Sequence, residues 1–131
     1  MSAIASYRRT QLEHASNEDI LVMLVAEAVR REALAAECLA AGDQDGMIAH
    51  VHVARAIFLE LRCAFDPAEA PNVAKSLQET YSWCIHHLTV VARTRDTALM
   101  AEVQRVTAVV QDTWARAVEI ARYGRYEETA T

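Results

Sequence analysis

The side chains of this chain best suited to nucleophilic, acid–base or metal chemistry are its five histidines and three cysteines, and their spacing argues against all three uses. His50 and His52 stand two residues apart and His86 and His87 are adjacent. Neither pair shares a helical face, which needs a separation of three or four. There is no His-x-x-x-His to grip zinc from one helix, and no Glu-x-x-His or Asp-x-x-His of the kind that builds a di-iron centre in a helical bundle. Cys38, Cys63 and Cys84 are odd in number and far apart, which suits reduced thiols in a cytoplasmic protein rather than a disulfide framework. A pairing such as Cys84 with a histidine of the second helix finds no support in the spacing. Three glycines in 131 residues leave no glycine-rich phosphate loop. No catalytic residue, metal site or cofactor is therefore expected, and a binding module is a better class than an enzyme.

The elements that carry these residues follow from composition and period. An apolar content of 53% is enough for a real core, and three Gly and two Pro leave few places to turn. The expectation is an all-α, antiparallel four-helix bundle forming a single domain over residues 1–131, with an N-terminal apolar strap at 1–15. Ser16 is a good N-cap for a first helix over 16–41, with Asp19 in its first turn. Gly42 is its C′ residue and Asp43 caps a second helix over 44–65. That helix carries Met47, Val51, Ala54, Phe58, Leu61 and Phe65 at alternating steps of three and four. Asp66–Asn72 holds both prolines and is the one longer connection. A third helix over 71–93 repeats the rhythm in Val73, Leu77, Tyr81, Cys84, Leu88 and Val91. Thr94-Arg95-Asp96 breaks it and offers two caps, and a fourth helix over 96–122 follows through Leu99, Val103, Val106, Val110, Thr113 and Ala117. The tail at 123–131 is expected to fray.

A formal net charge of −5, with arginines scattered or in short pairs such as Arg8-Arg9 and Arg30-Arg31, argues against nucleic acid or an anionic membrane as partner. Thr10–Asp19 is polar where a signal peptide needs its apolar core, and Ile20–Ala26 is too short to span a bilayer. What the stripes do not use is the more informative part. Ile20–Ala26 is apolar on every side of its helix, and such a helix must be covered all round. Val53, Ile57, Trp83, Ile85, Val109 and Trp114 lie beside or away from the main seam. Together they suggest apolar grooves between helices, on which Ile4 and Tyr7 of the strap can lie.

In order and spacing these pieces resemble the FliS family of flagellar secretion chaperones over residues 4–120. The family's N-terminal tyrosine is matched by Ser6-Tyr7, and its Ala-Ser/Thr-Pro-x-Glu-Leu-x-Leu-Met-Leu-Tyr helix start by Ala15–Val25. Its Gly-Asp turn resembles Gly42-Asp43, and its Lys-Ala-x-x-Ile-x-x-Glu-Leu helix resembles Val53–Leu61. Its aromatic third helix resembles Tyr81–Leu88, and its last pattern Asp96, Met100, Glu102, Val103 and Trp114. The chain departs from the family at Val25, in place of tyrosine, at His86 and His87, in place of an arginine pair, and near Ala92, where the family's asparagine is absent.

The resemblance implies a cytoplasmic chaperone that binds the C-terminal segment of flagellin, keeps it unpolymerised and helps deliver it to the flagellar type III export gate, whose components are further partners. It also implies that the tyrosine segment occupies part of the cargo surface when cargo is absent. On the family pattern and the apolar residues off the stripes, the expected partner-binding positions are Tyr7, Leu21, Val25, Val53, Ile57, Tyr81, Trp83, Ile85 and Trp114. The free protein is expected to be a monomer or weak homodimer. A self-associating helical adaptor without flagellin cargo is the alternative.

Overall fold

The computed structural model describes residues 17–64 and 71–130, in four helices: α1 (Asn17–Ala41), α2 (Gln44–Cys63), α3 (Pro71–Thr94) and α4 (Thr97–Ala130). The strap, the Ser16 cap, Phe65 and the Asp66–Ala70 part of the long connection lie outside the described residues, as does the side chain of Val73. Each helix packs on two neighbours, α1 on α2, α2 on α3, α3 on α4 and α4 back on α1, so the four close a ring. Arg31 Nη1 donates to His50 Nδ1 at 3.3 Å, Arg62 Nη1 to Ser82 Oγ at 3.4 Å and Trp114 Nε1 to the Tyr81 hydroxyl at 2.8 Å. In the Arg31–His50 and Tyr81–Trp114 pairs both partners lie well back from the short turn that joins their helices, the mark of antiparallel neighbours. The architecture is an all-α four-helix bundle, and among the described residues no helix is long and apolar enough to cross a membrane.

Two tight turns set one end. Gly42 has φ +75°, a left-handed conformation that an L side chain resists, and it lets Asp43 N–H reach back to the Cys38 carbonyl at 2.9 Å. The Asp43 carboxylate then accepts from Gly46 N–H at 3.0 Å and caps α2. At the other turn Arg95 takes φ +58° and Asp96 Oδ1 accepts from Leu99 N–H at 3.0 Å. Here a non-glycine residue carries the left-handed position.

The core of α2 consists of Met47, Val51, Ala54, Phe58 and Leu61, joined by Ile57, which the period had set beside the seam. Tyr81, Cys84, Leu88 and Val91 of α3 are fully buried, with Leu77 half-buried. On α1 the buried positions are Val25, Ala28, Glu32 and Ala35, while Met23 faces out. The fourth helix corrects the expected stripe. Met100, Val103, Thr107, Val110 and Val118 are buried, whereas Thr113 and Ala117 are exposed. Periodicity finds the apolar arc of a helix without fixing its centre. Two polar contacts fix it: Thr107 Oγ1 lies 2.9 Å from Glu32 Oε2 of α1, and Trp114 bonds Tyr81 of α3.

A second correction concerns length. The expected end near Arg122 gives way to a helix that continues to Ala130. An interior glycine such as Gly124 costs only about 1 kcal/mol against alanine, and the arginines, glutamates and alanine around it are good helix formers. At 34 residues α4 is ten longer than α3, with 24.

Candidate functional site

The α3–α4 seam does not fill along its whole length. Between the first half of α3 and the middle of α4 lies a groove of about 550 Å³, lined by Ser76, Leu77, Thr80, Val106, Val109, Val110 and Thr113. Its origin is side-chain size. Thr80 folds its hydroxyl back to the Ser76 carbonyl at 3.0 Å, and Thr113 does the same to Val109 at 2.8 Å. The hydroxyls are thereby spent on their own helices, and short side chains face each other where long ones would interdigitate. Val109 is 66% exposed. Not one lining residue is charged, so the groove suits an apolar occupant with little to specify a polar one. One residue along from the lining, the Tyr81–Trp114 hydrogen bond ties α3 to α4 and sets their separation there.

A second, smaller groove of about 310 Å³ lies on the α1–α2 seam, lined by Ile20, Leu21, Leu24, Glu60 and Ala64. It takes up part of the all-round apolar start of α1. A third hollow of about 250 Å³ sits at the turn end, between Cys38, Leu39, Gly42, Asp43, Gln44 and Arg95.

The sequence-predicted contact positions separate into three groups. Leu21 lines the α1–α2 groove, and Trp114 is half-buried beside the α3–α4 groove. Val53, Trp83 and Ile85 are half-buried against the core and line neither groove. Trp83 is covered by His87, whose ring stacks on it at 4.0 Å and whose Nδ1–H donates to the Trp83 carbonyl at 2.8 Å. Val25, Ile57 and Tyr81 are core residues, at 0%, 7% and 0% exposure, and offer no surface in the closed bundle. Tyr7 lies outside the described residues. The groove walls were largely missed as a site, because Leu77, Val106, Val110 and Thr113 belong to the same periodic stripes as the core. The signal that marks them is the row of Ser76, Thr80 and Thr113, small hydroxyl residues where a filled seam needs bulk.

No titratable side chain lines the α3–α4 groove. The marked shifts lie elsewhere: hydrogen bonds from Arg30 and then Arg31 hold the Glu27 carboxyl down at about 2, burial pushes the Cys84 thiol up to about 12, and burial pushes the Glu32 carboxyl up to about 8. Among the described residues no three His, Cys, Asp or Glu side chains come together as a metal site. The arrangement offers apolar grooves between helices.

Comparison with curated proteins gives no match to this chain. Residues 1–121 match the family model described as flagellar protein FliS, and with nearly the whole of its length covered the chain belongs to that family.

Proposed function

We propose that this protein is a cytoplasmic chaperone that binds the C-terminal segment of flagellin, prevents its premature polymerisation and helps deliver it to the flagellar type III export apparatus. The family is one of flagellar export chaperones and not of enzymes, so the work is shielding rather than bond chemistry. The observation that carries the reading in this chain is the uncharged α3–α4 groove with Val109 at its open edge. An amphipathic cargo helix can lay its apolar face there, in the helix-in-groove mode. Leu21 in the second groove, with Val53, Trp83, Ile85 and Trp114, extends the contact surface, and Val25, Ile57 and Tyr81 act from behind it by fixing the helices. Tyr7 is assigned to the strap that covers part of this surface when cargo is absent. A disordered tail that folds on binding spends about 2–5 kcal/mol or more on ordering, which keeps a large interface reversible at the export gate.

The test is co-expression of the full chain with the C-terminal segment of its cognate flagellin, followed by light scattering and titration calorimetry. A one-to-one complex is the expected result, weakened about tenfold or more by Val109→Lys at unchanged thermal stability. Failure of every flagellin of the source organism to co-purify overturns the reading. A dimer that forms on concentration and ignores flagellin supports the adaptor alternative instead, for which the exposed Ile120 and Tyr123 of α4 supply apolar surface.

A further inference from the structure

Three polar side chains from three helices meet in the middle of the bundle. Glu32 of α1 is 1% exposed, and Thr107 of α4 and Cys84 of α3 are fully buried. The Thr107 hydroxyl lies 2.9 Å from Glu32 Oε2 and 3.0 Å from the carbonyl of Val103, and the Cys84 thiol is close enough to feel both Thr107 and Glu32. Glu32 Oε1 has no hydrogen-bond partner. Threonine has one hydroxyl proton and a carbonyl can only accept. If Thr107 donates to Val103, as a helical threonine commonly does, its oxygen is left to accept, and Glu32 must supply a proton of its own.

We infer that Glu32 is carried in the folded bundle as a neutral carboxylic acid that donates to Thr107, and that this makes the α1–α4 seam a pH-sensitive lock. With Glu32 protonated on Oε2, its O–H donates to Thr107 Oγ1 and the Thr107 O–H is left for Val103, so the unpartnered Oε1 is the oxygen of a neutral acid and carries no charge. Ionised, Glu32 carries charge onto an oxygen without a partner, and among the described residues no cation forms an ion pair with it. On its own helix Glu27 is held by Arg30 and Arg31, turned outward. From α2, His50 is bonded to Arg31, and Arg55, whose Nε is itself buried without a partner, forms no ion pair with Glu32. From α3 the facing group is the Cys84 thiol, which burial keeps protonated, and from α4 it is Thr107.

Burial, only partly offset by the Thr107 hydrogen bond, raises the Glu32 carboxyl from 4.5 to about 8. The folded state therefore binds one more proton than the unfolded chain between these values, and stability falls as pH rises. The contribution is fully present below about pH 4.5. It declines by about tenfold in the folding equilibrium constant per pH unit from there towards pH 8, and levels off above. No comparable shift of Glu27 or Cys84 falls in this window, since the first titrates below it and the second above.

Two measurements on the full chain test the inference. Urea unfolding between pH 5 and 8 should show the wild type losing folding equilibrium constant steeply, and Glu32→Gln, which keeps a donor to Thr107 and cannot ionise, losing far less. Equal slopes overturn it. Carbon-13 NMR of glutamate-labelled wild type, with Glu32→Gln to identify the side-chain carboxyl signal or Glu32→Asp if that variant does not fold, should show one carboxyl titrating with a midpoint near 8. A Glu32 signal already ionised at pH 6 overturns it whatever the variants do.

Discussion

The bond between Trp114 and Tyr81 gives the sharpest quantitative test of how the α3–α4 seam is held. Tyr81→Phe removes one oxygen and leaves a ring of almost the same shape against Phe58, whose centroid lies 6.0 Å away. The lost quantity is therefore the 2.8 Å bond from Trp114 Nε1 to a hydroxyl on a fully buried residue. A typical net hydrogen bond is worth about 0.5–1.5 kcal/mol, and half-buried Trp114 regains part of its solvation from water, so about 1 kcal/mol is expected, a fivefold loss in folding constant. Trp114→Phe adds the loss of buried indole surface, so its own cost is larger and harder to assign. A double-mutant cycle removes that uncertainty, and the coupling between the two changes should be about 1 kcal/mol. Urea denaturation followed by circular dichroism measures each corner. In a Trp83→Phe background the only indole left is Trp114, whose fluorescence reports the bond directly and should shift in Tyr81→Phe before any unfolding. Strict additivity, with coupling under about 0.3 kcal/mol, would show that the bond forms at no net gain and that the groove width is set by packing alone.

Three further outcomes follow from the same structure. Ellman's reagent should modify exposed Cys63 in the folded protein and leave Cys84, buried and with its thiol pushed up to about 12, untouched until the chain unfolds; fast modification of two or more equivalents that include Cys84 contradicts its place in the core. Glu27, held near 2 by Arg30 and Arg31, stabilises the fold above about pH 4.5 and loses that contribution as pH falls towards 2. Because its side chain is 37% exposed, screening reduces the effect to about 0.5–1 kcal/mol, and Glu27→Gln should flatten the acid limb of the stability curve by that amount. Asp43→Ala should cost about 1 kcal/mol by uncapping α2, while Arg95→Gly, which relieves a left-handed residue at φ +58°, should raise the melting temperature by a few degrees; a fall on Arg95→Gly means that the arginine side chain contributes more than the backbone costs.

Helix order and both tight turns were legible because each rests on local chemistry. Gly42 and Asp43 announce a left-handed C′ residue followed by a cap, and Asp96 an N-cap, whatever the rest of the chain does. The centre of the α4 stripe was not, because α4 is apolar on two adjacent flanks and the choice between Thr107 and Thr113 depends on which finds a partner on another helix. Thr107 has Glu32, seventy-five positions earlier in the chain. The grooves were half legible. Excess apolar surface around Ile20–Ala26 and at Val109 pointed to them, yet Ile57, set beside the seam, proved to be core, and Tyr81, expected to touch a partner, is buried where its own stripe places it. Glu32 was invisible as a site, for nothing in the sequence distinguishes a buried glutamate from the solvated ones beside it.

The two tight turns, Gly42-Asp43 and Arg95-Asp96, lie at the same end of the ring, and the α3–α4 and α1–α2 grooves both open away from them. That asymmetry braces one end of the bundle and leaves the packing looser at the other. Amide exchange should be slowest near Met47, Val91 and Met100, close to the braced end, and grow faster towards Leu21, Leu77 and Val110.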